Sequence, residues 1–298
     1  MGQLPMLKGV KTSLYLCVLL ISFTSISQET NIATVKVLSS NANQQDSVDY
    51  FKLVLIHALN VTEEKYGPYQ LENVDLPYSQ ERSLSFLDDP NGLDVMHTMT
   101  NQSREERYIA IKVPLLKGLM GHRRLLTNVS NVGRLNSVKN LDELRSYIAC
   151  QGTHWPDSDI LEYNEMIVAR VLKFEAMFDM VSRGRCDYFP RAIQEITPEF
   201  EAFRKDHPNL AIVPDVMLQY RSPTYFFVGK RNLALAQRLS EGLSTLAESG
   251  QLDELIKQSP IGKGVFPLSQ WQNTRIIRLD TPTALGTENP NYWFDVGL

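Results

Sequence analysis

The stretch from Leu141 to Ala192 constrains this chain most, because it alternates helix and strand at a spacing that one kind of sheet fits. Asn140 followed by Glu143 reads as a capping box opening a helix over Leu141–Ala149, and the chain turns from helix to strand within Tyr147–Gly152. Asp157–Tyr163 reads as a short helix and Met166–Leu172 as a strand. Phe174, Met177, Phe178 and Val181 then fall at i, i+3, i+4 and i+7, one face of an amphipathic helix that Gly184 ends as a left-handed terminator. A short strand follows, and its tip carries Tyr188, Phe189, Pro190, Arg191 and Glu195. Such alternation predicts a mainly parallel sheet covered by helices on both faces. Ligands of such sheets sit in the crevice beyond the carboxyl ends of the strands, so this tip is the first candidate site.

The same logic runs through the earlier part of the chain. Ile32–Leu38 is β-branched and alternating, a helix capped at Asp46 or Ser47 runs to about Asn60, and Tyr69–Val74 is the next strand. Ser79–Asp88 reads as helix and Leu93–Met96 as a short strand leading into a threonine-rich loop. Further on, Thr197-Pro198 opens a helix, Leu210–Tyr220 is extended, and Tyr225–Lys230 is a strong strand. Leu233, Ala236, Leu239, Leu243 and Leu246 form a helical stripe, and residues 265–298 lack clear periodicity, although Trp271 and Trp293 suggest packing on the first unit. Arg123–Thr127 leaves the first unit and Tyr225–Lys230 returns to it, which makes the second an insertion in the first. Two such crossings form a hinge.

With 298 residues and 43% apolar content, the chain is long enough for about two domains. The first 27 residues stand apart. Lys8 and Lys11 precede an apolar run from Leu14 to Phe23 broken only by Ser22, and Ser25-Ile26-Ser27 offers small residues at −3 and −1. This pattern predicts a signal peptide cleaved after Ser27, being too short for a membrane span of about 20 residues. Bulky Leu16 before Cys17 argues against lipidation. Cleavage removes two lysines and no acid, taking the formal charge from −4 to −6. No basic stripe suits a nucleic acid. Cys150 and Cys186 remain, either as a disulfide or as two buried thiols.

The order of these segments resembles the periplasmic solute-binding proteins of bacterial ABC importers, specifically the branch, family 3, that includes the amino-acid binders. The resemblance covers roughly residues 30–260. It rests on Asp94-Val95 before Thr98-Met99-Thr100, on Arg104-Glu105-Glu106, on Ile111–Leu116 and on Gly184-Arg185-Cys186-Asp187. It implies an α/β, two-lobed periplasmic-binding-protein-like fold of type 2, with two hinge strands. Lobe one would be 28–122 plus 225–298, and lobe two 123–224. Thr100 and Arg104 match the family's "T-x-x-R" element with one residue more between them, and imply an Arg that clamps a ligand carboxylate. Thr98 lies beside it. Gly152-Thr153 matches a backbone anion cradle, with Trp155 as an aromatic wall. Tyr66 and Tyr69 stand where members stack an aromatic on the ligand. Tyr188, Arg191 and Glu195 form the lobe-two side, and Arg191 stands where amino-acid binders carry an acid. The stretch 188–191 and the proline-rich tail look closer to a divergent branch.

The resulting expectation is a monomeric periplasmic protein that holds a small anionic or zwitterionic solute, with an ABC permease or a membrane receptor as partner. Neither a cofactor nor a metal is expected. The chain has no G-x-S-x-G, H-E-x-x-H or P-loop and no Cys/His zinc spacing. An enzymatic alternative of the dehydratase type would pair His97 with Glu195 as acid and base. A further alternative is a scaffolding descendant that binds nothing.

Overall fold

A computed structural model describes residues 1–2, 32–39, 45–76, 79–282 and 289–294. The expected signal segment 1–27 and its cleavage point lie almost wholly outside them. Ile32–Leu298 forms one compact unit. In chain order it runs β1 (Ala33–Leu38), α1 (Gln45–Asn60), α2 (Glu63–Tyr66), β2 (Tyr69–Val74), α3 (Gln80–Ser85), β3 (Val95–Met99), α4 (Gln102–Arg107) and β4 (Ile109–Ala110). Then follow β5 (His122–Asn128), α5 (Val132–Ser137), α6 (Leu141–Leu144), β6 (Ile148–Gly152), α7 (Pro156–Tyr163), β7 (Ile167–Val171), α8 (Phe174–Ser182), β8 (Tyr188–Ala192), α9 (Ile196–Phe203) and β9 (Leu210–Gln219). The chain ends with β10 (Thr224–Val228), α10 (Leu233–Glu248), α11 (Gln251–Gln258) and β11 (Arg275–Arg278).

Two sheets carry the structure, ordered β2-β1-β3-β10-β4 and β11-β9-β5-β8-β6-β7. Both are mixed. β10 runs antiparallel to β3 and β4, and β5 runs antiparallel to β8 and β9, while β1, β2 and β3 and then β6, β7 and β8 are parallel. The antiparallel strands are those that follow a lobe crossing. Helices cover each sheet, and α1 and α10 pack over the first with Val54, Leu55, Leu239 and Leu243 fully buried.

Local chemistry explains the boundaries. Asn140 caps α6 by accepting from the Glu143 amide at 3.0 Å, and the Glu143 carboxylate accepts from the Lys139 amide at 2.9 Å. That helix stops at Leu144, earlier than expected, because the apolar residues after it enter β6. The α8 stripe packs inward with Met177, Phe178 and Val181 buried, and Gly184 follows at φ +68°. β3 extends past Met96 through His97, Thr98 and Met99, so the threonines begin in the strand rather than in a loop.

The tip at 188–191 is itself a strand. β8 pairs with β5 along its length but with β6 only at Tyr188, so Pro190 needs no amide on that side. Cys150 and Cys186 are joined in a disulfide, Cα–Cα 5.6 Å, which decides the alternative left open by the sequence.

The tail departs from the expectation that 225–298 lies with lobe one. Trp271 and Trp293 do pack at the first core, but β11 between them pairs in parallel with β9 of the second sheet, Arg275 opposite Val216 through Arg278 opposite Gln219. The segments that cross between the sheets touch. The Tyr220 amide donates to the Gly121 carbonyl at 3.0 Å, and a Cβ at Gly121 would lie 2.0 Å from the Tyr220 oxygen, so only glycine fits there.

Candidate functional site

The carboxyl ends of β3, β6 and β8 converge on one crevice, the place where α/β sheets hold ligands. Arg104 occupies its first-lobe side. Asn101 caps α4 by accepting from the Arg104 amide at 2.9 Å, which turns the Arg104 side chain back over the end of β3. Its guanidinium, 2% exposed, donates to Thr98 Oγ1 at 2.9 Å and to the Met99 carbonyl at 2.7 Å. It also reaches Gln80, Glu81 and the His154 carbonyl of the second lobe, each at 3.2 Å. Its Nε is buried with no partner. Burial lowers the Arg104 pKa, and Glu81, a half-exposed carboxylate, offsets only part of that. Thr100 instead bonds Glu105, at 2.6 Å.

Sequence reasoning missed the centre of the crevice, Arg123. It is 1% exposed and pairs with Asp157 at 2.6 Å and Glu195 at 3.3 Å, while Tyr220 donates its hydroxyl to Asp157 at 2.5 Å. Its Nη2 also lies 3.3 Å from the sulfur of Met99, a first-lobe side chain that packs in a second-lobe core. Burial depresses the Arg123 pKa, but Asp157, Tyr220 and Glu195 more than offset it.

Arg191 differs from expectation. Its Nε and Nη2 meet the two oxygens of Glu199 at 2.7 and 2.5 Å, with Glu195 at 3.0 Å. Trp155, Phe174 and Phe189 surround the guanidinium, with centroids 5.2, 5.5 and 4.9 Å away. Burial pulls Arg191 down, yet Glu195 and Glu199 leave its pKa raised. Burial pushes the Glu199 carboxyl up and Arg191 pulls it back; the two-point contact is that of a carboxylate on a guanidinium. The cation expected to meet a solute is thus already matched by a residue eight positions on, in the next helix.

The expected anion cradle is also engaged. The Gly152 amide donates to its neighbour Gln151 Oε1 at 3.2 Å and the Thr153 amide to the Val171 carbonyl at 3.0 Å. A Cβ on Gly152 would stand 2.4 Å from the Trp155 ring, so the glycine makes room for the indole. Tyr188 points into the second-lobe core, fully buried. Tyr66 and Tyr69 lie at the amino end of β2, bonded to Glu241 at 2.8 Å and Asn60 at 2.6 Å, away from the crevice. His97 stacks on Phe51 at 3.9 Å in an apolar pocket under α1, whereas Glu195 sits on the two arginines, so the two are not brought together as acid and base. Among the described residues, no group of three or more His, Cys, Asp or Glu side chains is placed to hold a metal ion.

No protein-family model and no curated protein matches the sequence. Solved structures do. An ancestral arginine-binding protein bound to arginine superposes with a TM-score of 0.51 at 16% identity, over 76% of this chain and 98% of that one. The VFT2 domain of Bordetella pertussis BvgS gives 0.55 at 16% identity, over 78% and 92%. A structure concerning glutathione import via GshT and the cystine ABC importer TcyBC of Streptococcus mutans gives 0.54 at 13%, over 77% and 95%. This is the two-lobed type 2 periplasmic-binding-protein fold. The low identities, with no family match, place the chain at a distance from these proteins in sequence. A binding-protein fold explains why Arg104 and His154, fifty positions apart, meet across the crevice.

Proposed function

We propose that this is an exported binding protein that captures a small solute between its lobes and presents it to an ABC permease. The observation that carries this reading is Arg104, a buried cation at the crevice whose partners are mostly neutral oxygens and whose Nε is unpartnered. An anionic group of a solute would supply the missing acceptor and complete the compensation that Glu81 gives only in part. On the facing lobe, Arg123 and Arg191 are matched by three carboxylates, Asp157, Glu195 and Glu199. Of these Glu195 is the most exposed, at 21%. A zwitterion, its anionic end on Arg104 and its cationic end on Glu195, complements both sides better than a plain anion. Thr98, Thr100, Gly152, Thr153 and Trp155 would form the surrounding wall. Arg191 holds Glu195 in place instead of touching the solute.

Resemblance to an arginine-binding protein and to a structure from work on an ABC importer supports import as the role. Likeness to a BvgS domain supports a second reading, a periplasmic sensor that delivers its ligand to a membrane receptor. In either reading the task is binding without chemistry. A thermal-shift panel of amino acids and dicarboxylates tests it, since a ligand at 100 times its Kd adds about 2.7 kcal/mol. A shift that disappears in Arg104→Met supports the reading. No shift from any member, or a shift intact in Arg104→Met, overturns it.

A further inference from the structure

Two-lobed binding folds open and close about the segments that join the lobes. Here the joining segments are residues 117–121 and 220–223, and a third piece of chain lies across them. At residues 268–271 the tail is packed on the first lobe, with the Trp271 indole donating to the Val265 carbonyl at 3.0 Å. It then crosses. β11 adds to the second sheet, Arg275 donates to the Asn136 and Val138 carbonyls at 2.9 Å each, and Ile277 and Leu279 enter a second-lobe core. Asp280 exchanges two bonds with Asn164, at 3.0 and 2.7 Å. Beyond this the chain is back on the first lobe. Tyr292 donates to Glu248 at 3.0 Å, and the Phe294 amide to the Lys117 carbonyl at 2.9 Å.

Trp293 is the fastening point. Its ring covers Gly118 so closely that a Cβ there would lie 2.6 Å away, and the Arg221 guanidinium stacks 4.6 Å from its centroid. One indole therefore touches both joining segments. We infer that residues 268–282, together with Trp293, are a strap that limits how far the lobes separate, fastened to the second lobe through β11 and to the hinge through Trp293. A rotation that parts the crevice must move Gly118 against Arg221, and the indole lies between them. This inference concerns motion and does not depend on the solute.

Hydrogen exchange on the full chain tests it, read at the Leu119, Gly121 and Tyr220 amides, together with the radius of gyration from small-angle scattering. Trp293→Ala frees one end of the strap and Arg275→Ala weakens the other, where the side chain is more exposed and folding is less at risk. Exchange at the three hinge amides at least tenfold faster, with a larger radius of gyration and unchanged exchange in β6 and α8, supports the strap. Unchanged hinge exchange in both variants overturns it. So does faster exchange spread evenly over both lobes, which would reduce Trp293 to ordinary packing.

Discussion

Arg104 in the first lobe and His154 in the second are joined across the crevice by a guanidinium-to-carbonyl hydrogen bond of 3.2 Å. Met99 adds an apolar contact beside it, reaching Arg123 and a second-lobe core. Replacing Arg104 with alanine removes the polar half of this closure. The expected outcome is a larger radius of gyration in scattering, with little change for Arg107→Ala on the exposed face of the same helix. Equal radii for Arg104→Ala and the parent would show that the bond contributes nothing to closure.

Arg191 is structural in this arrangement, so its loss should be felt in stability. Arg191→Ala leaves Glu199, whose side chain is 14% exposed, without its two-point partner, and breaking a buried pair costs about 3–5 kcal/mol. The double change Arg191→Met with Glu199→Met removes both charges and should recover most of that loss. Urea melts of the three proteins measure it; a double mutant no better than Arg191→Ala would contradict the pairing.

The disulfide closes a loop spanning 36 positions, and crosslinks of this kind contribute about 2–4 kcal/mol. Replacing both Cys150 and Cys186 with serine should lower the urea midpoint accordingly, and added reductant should then have no further effect. A midpoint unchanged by either treatment would mean that the crosslink adds no stability.

His97 carries a pH signature. Burial against Phe51 and the pocket under α1 pulls its pKa from 6.5 to about 4. Its folded value lies below its unfolded value, so the unfolded chain binds the proton first as pH falls. The cost is absent above about pH 6.5, grows as pH drops towards 4, and is constant below that. The stability difference between His97→Gln and the parent should move in the mutant's favour across this window. A difference that stays flat from pH 7 to 4 would show that the imidazole titrates normally.

The helices and strands were legible wherever a period, a cap and a stop coincided. Asn140 with Glu143, the Phe174–Val181 stripe and Gly184 each give two signals for one element, and local physics decided them. At the crevice, Arg104, Arg191 and Glu195 were legible one at a time, each from its place at or just beyond the end of a strand. Arg123, Asp157 and Glu199 come from β5, α7 and α9, and no sequence spacing links them. Arg191 was read as part of the lobe-two side of the site; its two-point partner Glu199 stands in the next helix, outside the reach of helical or strand periodicity. Tyr66 and Tyr69 were read from where the resembling family stacks an aromatic on its ligand. They precede or begin β2, the end that the carboxyl-end rule leaves out. β11 was missed because Arg275–Arg278 is too short to show alternation.

β9 has two strand neighbours, β5 and β11, and the second comes from the far end of the chain. A piece spanning 123–224 looks like an excisable domain, because both its ends lie at the segments that join the lobes. It would nevertheless lack Arg275–Arg278, leaving the edge of β9 at Val216–Gln219 bare and uncovering Val216, Met217 and Leu218, all fully buried in the whole protein. Bare apolar edges recruit strands from other molecules. Excised alone, this lobe should therefore self-associate, and appending residues 268–282 through a linker should restore a monomer.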